Sequence, residues 1–303
     1  MKNKDLNNEK HNTSKELKEV IKVKNLSFTY PGKKDETLKG FSFSIKKGEI
    51  FGFLGPSGAG KSTTQKIITG ILKGFQGDVN ILDQDISKVN NDFYENIGVS
   101  FEFPNLYLRF TARENLEYFA SLYQVETEDP LKLLKIVGLA DWADMRVEEF
   151  SKGMKMRLNF CRALLNKGDL IFLDEPTSGL DPANARIVKD IIKDLSRQGK
   201  TVFLTTHDMK AVEDVCHRVA FIVGGNIDII DSPDNLKSKY GNKKLELRYK
   251  DGKEVKTESF DLPALGKNKD FWNLLQKHDA ESIHSQEADL EEVFIKVTGR
   301  KLR

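Results

Sequence analysis

Gly55-Pro56-Ser57-Gly58-Ala59-Gly60-Lys61-Ser62-Thr63 follows the spacing G-x-x-x-x-G-K-[ST]. These residue types suit a polyphosphate. Glycines let the backbone turn tightly and aim successive N–H groups inward. A helix that starts there adds unpaired N–H groups and the positive end of its dipole. Lys61 then reaches the terminal phosphates, and the Ser62 hydroxyl can ligate Mg²⁺. A second run, Leu170-Ile171-Phe172-Leu173-Asp174-Glu175, is apolar and ends in two carboxylates. An acid at the carboxyl end of a buried strand faces the nucleotide crevice of an open sheet. Asp174 is suited to Mg²⁺, and Glu175 to taking a proton from an attacking water.

The elements that must position these residues follow from the surrounding pattern. The apolar run 49–54 predicts a strand into the phosphate loop, and 65–72 a helix out of it. Strands are expected at 20–28, 38–45, 78–82 and 97–101, the second alternating as a half-buried antiparallel strand does. The periodicity then turns helical. Thr111-Ala112-Arg113-Glu114 reads as a capping box, 131–137 as a helix, and 152–166 as a helix capped by Ser151. The α/β pattern resumes with strand 170–173 and a helix opened by Asp181-Pro182. Strand 201–205, a helix over 210–216 and strand 219–223 follow. Beyond Pro233, Asp251-Gly252 marks a hairpin turn and 289–297 a capped helix. The expected organisation is a loose tail over 1–19, a nucleotide-binding domain over 20–236 with a helical insertion at about 103–166, and a small α+β appendage over 237–303.

Composition bounds the function classes. A net charge of +2, from 48 basic and 46 acidic residues well mixed along the chain, gives no nucleic-acid footprint. No apolar run has the length of a spanning helix, and the N-terminal residues lack the apolar segment of a secretory signal, so a cytoplasmic protein is expected. Cys161 and Cys216 lack metal spacing and read as buried small hydrophobes.

Further residues carry a family resemblance. Phe150-Ser151-Lys152-Gly153-Met154 resembles the signature sequence, usually Leu-Ser-Gly-Gly-Gln, of ABC transporter ATP-binding subunits. Asp174-Glu175-Pro176-Thr177-Ser178-Gly179-Leu180-Asp181 resembles that family's passage from catalytic carboxylates to dimer loop. His207 matches its switch histidine and Tyr30 its adenine-stacking aromatic. The motifs occur in order with family-like spacing over residues 20–236. The resemblance implies a P-loop NTPase core of ABC type, with an antiparallel β subdomain and an inserted helical subdomain. It implies ATP and Mg²⁺ as ligands, and two subunits closing on two ATP molecules. In that arrangement Tyr30 and residues 55–63 of one chain face Ser151, Gly153 and Asp181 of the other. Lys61, Glu175 and His207 would serve catalysis, and Ser62, Asp174 and Glu102 the metal. The partner implied is a separate integral-membrane permease at the cytoplasmic face of the membrane. The tail from Leu290 to Arg300 resembles that of ATPases serving drug export, so export is expected.

Two departures stand out. Glu102 occupies the usual glutamine position and only accepts hydrogen bonds when ionised. Lys152 and Met154 alter the signature while Ser151 and Gly153 are kept. They motivate a rival reading, a weakly active regulatory subunit. A second rival is an ABC ATPase acting on DNA or the ribosome, against which stand the single cassette and the absence of sustained heptads. Lys155 and Arg157 read as a solvated face of the signature helix, and Trp142 and Trp272 as packing residues. The cluster Phe101, Phe103, Leu106, Tyr107, Leu108 and Phe110 reads either as subdomain core or as a groove for a short helix of a membrane partner.

Overall fold

The computed structural model describes residues 18–252, 254–286 and 288–300. Most of the expected tail therefore lies outside the described residues. A 6-stranded sheet forms the centre, in the order β10-β9-β3-β8-β7-β6. Its members are β3 (Ile50–Leu54), β6 (Ile97–Ser100), β7 (Leu170–Asp174), β8 (Thr201–Thr206), β9 (Arg218–Val223) and β10 (Asn226–Asp231). All pair in parallel except β10, which joins β9 antiparallel. The central strands are continuous apolar runs because both faces are covered. Phe51, Phe53, Phe172 and Phe203 enter one core, while Ile171, Leu173, Val202, Leu204 and Phe221 enter the other.

The first core lies under an antiparallel 4-stranded sheet, ordered β2-β1-β4-β5. It consists of β1 (Glu19–Phe28), β2 (Leu38–Lys46), β4 (Gln76–Ile81) and the short β5 (Gln84–Asp85). The sheets meet through aromatic rings: Phe43 stacks on Phe51 at 5.8 Å and leans on Phe53 at 5.2 Å between centroids. Helix α1 (Lys61–Ile68) buries Ile67 and Ile68 in the same core, and the one-turn α2 (Asn91–Tyr94) adds Phe93.

The helical insertion comprises α3 (Ala112–Ala120), α4 (Pro130–Ile136) and α5 (Lys152–Arg162), and it joins the second core through Leu116, Leu133, Leu134 and Leu158. The capping box is present in full: Thr111 accepts from Glu114 N–H, and Glu114 accepts from Thr111 N–H. The expectation that α5 runs to residue 166 is corrected. It stops at Arg162, and a Cβ at Gly98 would lie only 1.8 Å from Ala163 O, so the helix end rests directly on β6. Asn166 is then free to donate to the carbonyls of Tyr94, Glu95 and Ile97.

Helices α6 (Pro182–Arg197) and α7 (Met209–Val215) cover the remaining face. After α8 (Pro233–Tyr240), a 3-stranded sheet forms, ordered β12-β11-β13. Its members are β11 (Lys244–Asp251), β12 (Glu254–Asp261) and β13 (Ala280–Gln286). Here α9 (Lys269–Lys277) supplies Phe271 to a small core with Leu245, Leu247, Tyr249 and Phe260. The hairpin was legible; α9 and β13 were not. The final helix, α10 (Leu290–Thr298), departs from the expected appendage. It returns to the central core, where Phe294 meets Phe221 edge-on at 5.0 Å.

Candidate functional site

Strand β3 is buried along its length and delivers the chain to Gly55, where side-chain space vanishes. A Cβ at Gly55 would lie 2.1 Å from Ile222 O on β9, so only glycine allows this approach. Gly58 (φ +79°) and Gly60 (φ +110°) adopt left-handed backbone, which curls the loop and starts α1 at Lys61. Lys61 is buried, and its Nζ donates to Gly55 O at 2.7 Å and Pro56 O at 3.2 Å. Burial lowers its pKa, while the charges of Glu175, Asp174 and Glu102 oppose that shift. The ammonium thus waits inside the loop near three carboxylates. Ala59 is buried and braces the loop, its N–H donating to Pro56 O and its C=O accepting from Gly225 N–H.

The carboxylates arrive from β7. The Ser62 hydroxyl donates to Asp174 Oδ1 at 3.4 Å, and the Thr205 hydroxyl on β8 donates to the same oxygen. Glu175 leaves the strand with φ +50°, a conformation that costs a non-glycine residue about 1–2 kcal/mol. Its side chain is buried, with Oε1 at 2.8 Å from His207 Nδ1 and Oε2 accepting from the Thr206 hydroxyl at 3.0 Å. His207 itself is 59% exposed. Tyr30 stands over the loop edge-on to Phe28, its hydroxyl 3.2 Å from Thr63 Oγ1.

These groups line one cleft of about 680 Å³. Of the sequence-predicted residues, Tyr30, Ser57, Gly58, Gly60, Lys61, Ser62, Thr63, Glu102, Asp174, Glu175 and His207 border it. Gly55, Pro56 and Ala59 form the loop behind it. Ser151, Gly153 and Asp181 do not border it. Ser151 caps α5, accepting from Met154 N–H, and Asp181 caps α6, accepting from Ala183 and Asn184 N–H. The hydrogen bonds from Asn184 hold the Asp181 carboxyl below its ordinary pKa. The reading of the residues missed Lys33, Asp35, Glu36 and Thr37, which form a charged wall between β1 and β2. It also missed Thr205 and Thr206. The β1–β2 connection has no motif of its own; it meets the loop through Tyr30, hydrogen-bonded to Thr63, and through Thr37 O, which a Cβ at Gly60 would approach to 3.4 Å.

The site fits a nucleotide triphosphate with a hard cation. The loop offers backbone N–H groups and a buried ammonium, and Ser62 with Asp174 offers two hard oxygens of the kind Mg²⁺ accepts. Among the described residues, no group of three or more His, Cys, Asp or Glu could hold a metal alone. The other positions on Mg²⁺ would fall to Glu102, which borders the same cleft, to phosphate oxygens and to water.

Two surfaces outside the cleft bear on the earlier expectations. Phe103 is 75% exposed, and Tyr107, Leu108 and Phe110 are also exposed, while Leu106 packs on the core. Phe101 borders a groove of about 470 Å³ with Phe119, Leu122 and Tyr123. The expectation of a solvated Arg157 is corrected: it is buried and donates to Val137 O and Gly138 O, because α5 turns that side toward the end of α4. Trp142 and Trp272 are 40% and 48% exposed, and Trp272 packs edge-on against Phe271 at 5.3 Å. Cys161 and Cys216 are free and buried, with thiol pKa values raised by burial.

Residues 38–178 match the family described as ABC transporter, and residues 243–287 match the fluoroquinolone efflux ABC transporter C-terminal domain. The chain is 50% identical to a fluoroquinolones export ATP-binding protein of Mycobacterium tuberculosis, across 94% of this chain and 95% of the relative. It is 33% identical to a linearmycin resistance ATP-binding protein of Bacillus subtilis, across 94% of this chain and all (100%) of the relative. Among solved structures, an ATP-binding cassette dimer in a post-hydrolysis state with ADP and Pi aligns at a TM-score of 0.64. It is 29% identical, over 70% of this chain and 98% of that one. No helix among the described residues is long and apolar enough to cross a membrane.

Proposed function

The chain belongs to the ABC transporter family, as an ATP-hydrolysing subunit that drives export through a membrane permease, and we propose how its residues divide that work. Lys61 and the N–H groups of residues 55–63 hold the terminal phosphates, and Tyr30 stacks on adenine. Ser62 and Asp174 would hold Mg²⁺, with Glu102 as a further oxygen, and the cation would offset charge on the phosphate oxygens. Glu175 takes the proton of the attacking water, and His207 leaves its carboxylate to meet the γ-phosphate.

Ser151, Gly153 and Asp181 act on the ATP of a second subunit. Their position at the starts of α5 and α6, away from this chain's own cleft, supports that reading. The dimer is of like or near-like chains, seated peripherally on the cytoplasmic face through the permease, with Phe103, Tyr107, Leu108 and Phe110 at the contact. The exported compound is of the fluoroquinolone type, on the strength of relatives so named that are 50% identical over nearly the whole chain. Residues 237–289 form an accessory unit, and α10 belongs to the ATPase core.

The observation that carries the chemistry is the meeting of Lys61, Ser62, Asp174, Glu175 and His207 around one cleft. The test is ATP turnover by the purified chain. Glu175→Gln should lower it by about 10²–10⁴-fold while ATP binding persists, and EDTA should abolish wild-type turnover. Wild-type turnover in Glu175→Gln would refute the assignment.

A further inference from the structure

Both oxygens of Glu175 are engaged, but by unlike partners. His207 reaches Oε1 from a mostly exposed position, whereas the Thr206 hydroxyl reaches Oε2 with Thr206 fully buried. The direction of the Thr206 bond is set from behind. Asp208 N–H donates to Thr206 Oγ1 at 3.0 Å, occupying a lone pair and leaving the single hydroxyl proton for Glu175. The sheet makes this arrangement. Parallel β7 and β8 pair Asp174 with Thr205, and Glu175 N–H donates to Thr205 O at 2.9 Å. Consecutive threonines therefore stand beside consecutive carboxylates, Thr205 on Asp174 and Thr206 on Glu175.

We infer that Thr206 is a positioning residue for ATP hydrolysis, fixing one oxygen of Glu175 so that the other faces the attacking water. The terminal torsion of a glutamate is broad and nearly two-fold, so a carboxylate with no fixed partner presents either oxygen at many angles. With Oε2 held by Thr206, departure of His207 from Oε1 frees that oxygen without letting the group rotate. This inference rests on Glu175 as the proton acceptor.

The experiment uses the full chain with Thr206→Val and Thr206→Ser, each alone and in a Glu175→Gln background. Valine keeps the shape and removes the hydroxyl. Thr206→Val should lower kcat about 10- to 100-fold while KM for ATP moves less than about twofold. Thr206→Ser should recover kcat to within about threefold of wild type. In the Glu175→Gln background, Thr206→Val should change the residual single-turnover rate by less than about twofold, because the group it orients is no longer a base. Unchanged kcat in Thr206→Val would overturn the inference, as would equal losses in the serine and valine variants. The full valine loss persisting over Glu175→Gln would also overturn it, placing the effect in the loop of Asp208. Wild-type turnover in Glu175→Gln alone would instead sink the reading beneath it, so the two failures are distinguishable.

Discussion

Replacing Arg157 with methionine separates an inward structural cation from the solvated charge that its place in the sequence suggests. Helix α4 ends at Ile136, so its last carbonyls lack partners within the helix. Arg157 Nη1 donates to Val137 O at 2.7 Å and to Gly138 O at 3.2 Å, from a residue only 8% exposed. A guanidinium at this end also opposes the negative pole of the helix. Burial lowers its pKa, and the charge of Asp181 pulls the other way. Methionine keeps most of the stem and removes both bonds. A charged hydrogen bond contributes about 1.5–3 kcal/mol, and a buried carbonyl left unpaired costs about 1–3 kcal/mol. Removing a desolvated charge offsets part of that, leaving a net loss of about 2–4 kcal/mol. At about 2–3 °C per kcal/mol for a chain of this size, Tm should fall by roughly 4–12 °C. Thermal unfolding by circular dichroism measures this, and hydrogen exchange at Gly138 and Leu139 localises it. A Tm within 1 °C of wild type, with unchanged exchange there, would refute the reasoning and return Arg157 to solvent.

Gly55→Ala, which would set a methyl 2.1 Å from backbone Ile222 O, should cost about 3 kcal/mol or more, the top of the overpacking range, and weaken ATP binding. Gly58→Ala meets nothing within 4 Å and should cost only the left-handed backbone penalty, about 1–2 kcal/mol. Equal stability losses in denaturant titrations of the two would contradict the steric argument. Glu102→Gln should retain ATP turnover, since the position borders the cleft while Ser62 and Asp174 lie together without it. Turnover lost with ATP binding intact would show that the carboxylate is required. Phe294→Ala, at a fully buried ring against Phe221, should lower overall stability by about 3–5 kcal/mol. Undiminished stability of the ATPase core in that variant would mean that α10 is not part of it.

Much of the machinery was legible because its residues are neighbours in the chain. Residues 55–63 bend around phosphate through their own glycines, and the caps at Thr111, Ser151 and Asp181 bond N–H groups within three residues of themselves. The central strands were legible for a related reason: burial on both faces demands unbroken apolar runs such as 170–173 and 202–204. The ABC resemblance then implied which dispersed residues belong together, and Tyr30, Glu102 and His207 do border the cleft.

What the chain order alone could not supply was lateral register and facing. Thr205 and Thr206 reach Asp174 and Glu175 only because β8 lies beside β7 in one parallel register. Nothing local distinguishes them from strand threonines pointing elsewhere. Arg157 looks like part of a charged helix face until α4 ends against it, and α10 looks like a tail until its apolar face finds Phe221. Local patterns record what a segment can do with its own backbone. Which distant surface satisfies a hydroxyl, a guanidinium or an apolar stripe depends on packing between segments far apart in the chain, and so was decided only by the tertiary structure.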